Sequence, residues 1–146
     1  MAPHYRKYAA AIIFIKTKKE PLFLVLHRKQ NWKGWEYVKG GLLPNESVLK
    51  GLKREIKEET GQKRFKIIAK LPKQIKYKWP KTYLKDEKRW RGAIQQIYLV
   101  EIFSKKIKLD RKEHSGYRWV PGKKALKLLT YPEPRAVLRY ALEKYF

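Results

Sequence analysis

The sequence predicts an α/β protein, with a mixed β-sheet held between helices in an α/β/α sandwich and residues 1–146 forming a single domain. Three observations support this. Apolar runs of strand length lie on both sides of one helical segment near residues 45–61. Two further helical segments close the chain, so helices are available for both faces of a sheet. At 146 residues with 43% hydrophobic content, the chain is long enough to bury a core and too apolar to be disordered.

The elements follow in order. Residues 8–16 and 22–27 are continuous apolar runs joined by the polar turn KTKKE, which is the pattern of interior strands. Residues 28–35, RKQNWKGW, form a basic, aromatic loop. A short strand over residues 35–38 leads into Gly40-Gly41, where the lack of side chains lets backbone come close to a ligand. The helix that follows has Asn45 as its expected N-cap, just after Pro44, and Gly61 as its left-handed stop. Val48, Leu49, Leu52 and Ile56 give it one apolar stripe. Residues 65–71 form the next strand. In residues 73–90, lysines and aromatics dominate, and Pro80 limits any strand to an edge. Strands over 92–103 and 116–120 come next. Pro121 is expected to open a helix through Leu129, and a last helix spans about 133–145, with Ala136, Val137, Tyr140 and Ala141 spaced for burial.

Composition narrows the possible functions. With no cysteine, there can be no disulfide, thiolate metal site or cysteine nucleophile, and a reducing, cytoplasmic setting fits. The run at residues 8–15 is too short to span a bilayer, so a membrane partner is not expected. Lys and Arg total 37 against 13 acids, a net charge of +24. Such a field attracts polyanions, including nucleotides and RNA. A lysine-rich surface serving heat tolerance would give the same excess. The placement of the acids says more than the total, because four of the 13 are Glu46, Glu55, Glu58 and Glu59.

On a helix, Glu55, Glu58 and Glu59 stand at i, i+3 and i+4 and share one face. Like charges that close repel one another unless a cation lies among them. Mg²⁺ prefers a few carboxylates plus water and phosphate oxygens. Arg54 can pair with a neighbouring carboxylate and orient it. Gly40, five residues, Glu46, seven residues, then Arg54-Glu55-Ile56-Lys57-Glu58-Glu59-Thr60-Gly61 is a spacing that resembles the Nudix box. Gln62 departs from it, standing where that pattern has an aliphatic residue. The resemblance implies a hydrolase of nucleoside diphosphate derivatives. Its motif residues are Gly40, Glu46, Arg54, Glu55, Glu58, Glu59 and Gly61, and its cofactor is Mg²⁺ or Mn²⁺. It also implies that Glu55, Glu58 and Glu59 hold the metal together with a backbone carbonyl near Gly40.

A second segment, Glu113-His114-Ser115-Gly116-Tyr117-Arg118-Trp119, is similar to a run in diadenosine tetraphosphate hydrolases. RNA 5′-pyrophosphohydrolases have a related one. In both groups the leading glutamate completes the metal site or acts as general base, and Glu113 matches it. His114 is a weaker candidate for a phosphate contact. Tyr77 and Tyr83 are candidates to clamp a base, and Arg28, Lys39 and Lys81 to hold a polyphosphate. The leading expectation is hydrolysis of diadenosine tetraphosphate to ATP and AMP. The alternatives are an RNA 5′-pyrophosphohydrolase and a non-catalytic, basic RNA-binding module on the same scaffold. The sequence points to no partner protein.

Overall fold

A computed structural model describes residues 5–79 and 90–146. Its strands are β1 (Tyr5–Ile15), β2 (Leu22–Arg28), β3 (Gly34–Glu36), β4 (Val38–Gly41), β5 (Phe65–Lys70), β6 (Ile75–Lys78), β7 (Gly92–Ile102) and β8 (His114–Pro121). Its helices are α1 (Val48–Thr60), α2 (Gly122–Leu128) and α3 (Pro132–Tyr145). Most match the expected elements to within a few residues at each boundary, but the one strand expected over residues 35–38 is two, β3 paired with β2 and β4 with β1. Expected Lys81 and Tyr83 contacts lie outside the described residues.

The eight strands form one mixed sheet. β1 and β7 run parallel through its centre, in register from Tyr5↔Gly92 to Phe14↔Glu101. The other pairings are antiparallel: β5 and β6 on β7, β2 and β4 on β1, β3 and β8 on β2. The free edge of β1 is divided. β2 takes Phe14 and Ile15, whereas β4 takes Tyr8 to Ala11. β4 therefore diverges from β2 and delivers Gly40 and Gly41 to the mouth of the cleft.

Side-chain alternation along β1 separates two apolar layers. Ala9, Ala11 and Ile13 face α1, packing with Leu24, Leu26, Val38, Leu52, Ile56, Val100 and Ile102. Ala10, Ile12 and Phe14 face the other way, with Phe23, Val25, Leu99, Val137, Leu138 and Ala141 under α2 and α3. Leu52 and Ile56 are fully buried, and truncating either to Ala would cost about 2–5 kcal/mol. This confirms the α/β/α sandwich.

Several local expectations need correction. The N-cap of α1 is Ser47, whose Oγ accepts from the Lys50 amide at 3.2 Å. Asn45 instead adopts a left-handed φ of 63° within the preceding turn, a conformation asparagine tolerates and an N-cap cannot use. Leu49 faces solvent, 46% exposed, because the buried arc of α1 turns toward Leu52, Glu55, Ile56 and Glu59. Tyr140 of α3 is likewise exposed, and Leu138 takes the core position. Pro121 caps α2 rather than occupying its first turn. Gln62 replaces the lost aliphatic contact with a hydrogen bond, its side-chain amide donating to the Lys106 carbonyl.

Candidate active site

The cleft lies where β4 ends beside the last two turns of α1. Gly61, at φ 74°, supplies the left-handed residue that ends the helix. Gly40 sits directly under Glu55, and a Cβ there would overlap the Glu55 carboxylate. The cavity has a volume of about 390 Å³. Its lining includes Arg28, Lys39, Gly40, Arg54, Glu55, Glu58, Glu59 and Glu113, together with Arg6, Tyr8 and Asp110.

Arg54 organises the acidic wall. Its Nε and one terminal nitrogen, Nη2, donate to the two oxygens of Glu46, both at 2.9 Å, a bidentate arrangement. Nη2 also donates to the Gly41 carbonyl at 3.0 Å. Nη1 donates to Glu55 Oε1 at 2.8 Å and reaches Glu58 at 3.3–3.4 Å. Glu46 Oε1 in turn accepts from the Leu43 amide at 3.0 Å. Glu46 thus braces the loop before α1. Hydrogen bonds from Arg54 and the Leu43 amide hold its carboxyl down at about 2.

Glu55 and Glu59 differ sharply from Glu58. Both are buried, whereas the Glu58 side chain, 56% exposed, stands on the rim. The three glutamates expected on one face are therefore split between two dielectric settings. Burial pushes the Glu55 carboxyl up to about 7, despite Arg54, with the charges of Glu58 and Glu113 adding to the rise. Glu59 is raised well above the usual carboxylate range, by burial first and then by the charges of Glu36, Glu55 and Glu113. Its Oε2 accepts from the Lys39 amide at 3.1 Å. Glu113 is the residue before β8, and its carbonyl accepts from the Lys29 amide at 2.9 Å, which brings that turn against the cleft.

Glu36 was not anticipated from the sequence. It is buried at the end of β3, and three groups surround it. Arg28 donates to its Oε2 at 3.1 Å, His114 Nε2 donates to the same oxygen at 2.8 Å, and Lys39 Nζ lies 3.7 Å from Oε1. Burial raises the Glu36 carboxyl, but the His114 hydrogen bond and the charges of Lys39 and Arg28 bring it below its ordinary value. His114, considered from sequence for a phosphate contact, is fully buried with its Nε2 held by Glu36.

Tyr77 stands on β6, half exposed, with its hydroxyl 3.4 Å from Gln95 Nε2. Tyr8, also unanticipated, lies under Lys39 Nζ at 5.6 Å and the Arg6 guanidinium at 5.3 Å. Register places Tyr8 beside Gln95 on one sheet face.

A divalent cation fits these residues. Glu55 and Glu59 are buried carboxylates that the protein's own cations leave largely uncompensated, and the donors are hard oxygens of the kind Mg²⁺ takes. The ligand atoms of Glu59, Glu113 and His114 lie within 4.8 Å of one another. Gly40 keeps the approach to Glu55 open.

The α/β/α sandwich with an acidic helix facing a glycine strand end defines a class of cation-dependent phosphoanhydride hydrolases. Comparison with known proteins agrees. A profile of the NUDIX domain matches residues 5–141, and the chain belongs to the Nudix family as a pyrophosphohydrolase. An RNA pyrophosphohydrolase from a Nitratiruptor species is 33% identical, covering 97% of this chain and 97% of that one. The RNA pyrophosphohydrolase of Campylobacter jejuni serotype O:2 is 28% identical over 98% of this chain and 93% of its own. Among solved structures, a Caenorhabditis elegans Ap4A hydrolase binary complex has a TM-score of 0.78 at 22% identity, covering 97% of this chain and 99% of that one, a likeness of fold. No helix among the described residues is long and apolar enough to cross a membrane.

Proposed function

We propose that this enzyme removes pyrophosphate from the 5′-triphosphate end of RNA, using Mg²⁺ or Mn²⁺. The observation that carries this reading is the end-to-end similarity, at 33% identity, to a protein named RNA pyrophosphohydrolase. The charge of the chain supports it. A surface of net +24 holds a polyanion beyond its reacting end, while the acids gather in the cleft, where cations are needed.

In the reaction a water attacks a phosphorus of the α–β P–O–P bridge, and the bridging P–O bond breaks to release pyrophosphate and leave a 5′-monophosphate. Glu55, Glu58, Glu59 and Glu113, with a carbonyl near Gly40, would hold the cation, which when bound would neutralise developing charge and lower the pKa of a water. Arg54 fixes the orientation of Glu55 through the 2.8 Å bond. Lys39 and Arg28 line the phosphate side of the cavity while balancing Glu36. Tyr77 and Tyr8 offer aromatic surface for a base, with Tyr83 and Lys81 assigned to the same insert from sequence. The proton from water goes to a carboxylate of the cleft, Glu55, Glu58 or Glu113.

A second reading, hydrolysis of diadenosine tetraphosphate to ATP and AMP, is favoured by one specific observation: the run Glu113-His114-x-x-Tyr117-Arg118-Trp119. Sequence alone ranks it first, and similarity to proteins named RNA pyrophosphohydrolase supports the RNA end as substrate. Turnover of 5′-triphosphate RNA against diadenosine tetraphosphate, with product analysis, separates the two. Pyrophosphate and monophosphate RNA, produced at a kcat/KM at least tenfold above that for the dinucleotide, are expected. The opposite ratio assigns the dinucleotide. RNA binding with a steep salt slope but no metal-dependent hydrolysis of either substrate would leave only a binding module.

A further inference from the structure

The buried histidine beside the cleft has one nitrogen accounted for and one not. His114 is wholly inaccessible to solvent. Its Nε2 donates to Glu36 Oε2 at 2.8 Å. Its Nδ1 is buried with no hydrogen-bond partner among the described residues. A buried polar atom without a partner is costly, so a site that keeps one usually presents it to something else.

Its surroundings indicate what that is. The ligand atoms of His114, Glu59 and Glu113 lie within 4.8 Å of one another, close enough for all three to meet one ion. The acids gathered near the ring are Glu36, Glu59 and Glu113, and an ionised carboxylate has no proton to give a nitrogen lone pair. In a neutral ring whose Nε2–H is donated to Glu36, the lone pair is on Nδ1. A carboxylate that accepts one ring N–H while the other nitrogen faces a metal is the usual outer partner of a ligating histidine, because it fixes the tautomer and raises the basicity of the free nitrogen. Glu36 is suited to that part. Lys39 and Arg28 lie against it and keep it charged.

We propose that His114 Nδ1 ligates a divalent cation together with Glu59 and Glu113, which gives this cleft one nitrogen ligand among its oxygens and a preference for Mn²⁺ or another first-row transition ion over Mg²⁺. The preference follows from ligand chemistry: imidazole suits transition metals, whereas Mg²⁺ takes oxygen and dehydrates reluctantly. Glu36 is the positioning residue for the ring. This deepens the cation-dependent reading of the cleft and rests on it.

The test reads the ion directly, without substrate. The full-length protein is loaded with Mn²⁺ and examined by pulsed EPR, once with natural histidine and once with [¹⁵N]histidine. The chain has three histidines, so the label is sparse. A directly bonded nitrogen coupling that changes with the label, and that persists in His27→Gln but not in His114→Gln, is expected. Should His114→Gln fail to fold, since the residue is buried, Glu36→Gln carries the assignment. It is expected to weaken Mn²⁺ binding about tenfold while Mg²⁺ binding changes much less, so that the Mn²⁺/Mg²⁺ affinity ratio falls. Mn²⁺ bound with no label-sensitive nitrogen coupling overturns the proposal and leaves the carboxylate site standing. A ratio unchanged in Glu36→Gln also overturns it. Failure of the protein to bind Mn²⁺ at all overturns both this inference and the cation-dependent reading.

Discussion

Glu46 and Glu59 flank the same helix and have opposite electrostatic fates. Glu46 receives two bonds from Arg54 and one from a backbone amide, and is held at about 2. Glu36, on β3, is likewise matched, by Arg28, Lys39 and His114. Glu59 is buried among three other acids and receives one backbone N–H, from Lys39. Glu55 shares Arg54 with Glu46 and still rises to about 7. In a chain with 37 basic residues, cations to neutralise these two carboxylates were available in number. That the fold matches Glu36 and Glu46 from within and leaves Glu55 and Glu59 under-compensated separates structural acids from those suited to an external cation.

The largest test of that division removes one acid of the second kind. Glu59→Gln should lower kcat by about a thousandfold at saturating Mg²⁺, since a metal ligand is lost, while the metal-free protein at pH 8 melts no lower than the parent. Glu58→Gln should also lose turnover by orders of magnitude if it ligates as the family resemblance implies, but being exposed it should leave the stability of the metal-free protein untouched. Near-normal hydrolysis by either variant refutes the metal role assigned to it. Gly40→Ala comes next. Its new methyl would displace the Glu55 carboxylate, and a loss of about a hundredfold in activity is expected, as for a misplaced catalytic group. Mn²⁺ titration should show weakened binding in the same variant.

Linkage between protonation and folding separates the two kinds of acid without substitution. Glu55 and Glu59 have folded pKa values above the unfolded one, so their contribution is fully present below about 4.5 and is lost as pH rises, for Glu55 through about 7. Glu36 and Glu46 are lowered, so their contribution is present above about 4.5 and lost as pH falls, for Glu46 toward about 2. Thermal melts of the metal-free protein should therefore pass through a maximum at roughly pH 4.5 and fall from there toward pH 7. Excess Mg²⁺ or Mn²⁺ should restore stability on the alkaline side and do little on the acid side, because Glu55 and Glu59 belong to the cation's ligand set and Glu36 and Glu46 do not. A metal-free melting curve that keeps rising to pH 8 contradicts the division.

How much of this could be read from the chain depended on whether the physics was local. The interior strands were legible because β1 and β7 are buried on both faces and so show as continuous apolar runs. Arg54 and the glutamates of α1 were legible because helical spacing places them. The split between exposed Glu58 and buried Glu59 was not, since it depends on how far α1 is rotated against β1 and β4, which also moved Leu49 outward. Glu36 was illegible for a different reason. Its partner His114 is 78 residues away and meets it only after β3 and β8 have both paired with β2. Glu113 was found from its spacing to Tyr117 and Trp119, yet its approach to Glu59 depends on the same long-range pairing.

The smallest expected effect serves as a control on the pH argument. Ser47 caps α1 and touches neither set of carboxylates, its Oγ accepting from Lys50. Ser47→Ala should cost about 1 kcal/mol. Because no titrating group is involved, the whole stability curve should drop by that amount with its maximum at the same pH. Asn45→Gly, at a left-handed φ of 63°, should change stability by a few tenths of a kcal/mol at most, since glycine adopts that conformation without strain. If Ser47→Ala moved the maximum, the cap would be coupled to the acids through α1. The pH profile would then report the position of the helix rather than the charge on Glu55 and Glu59.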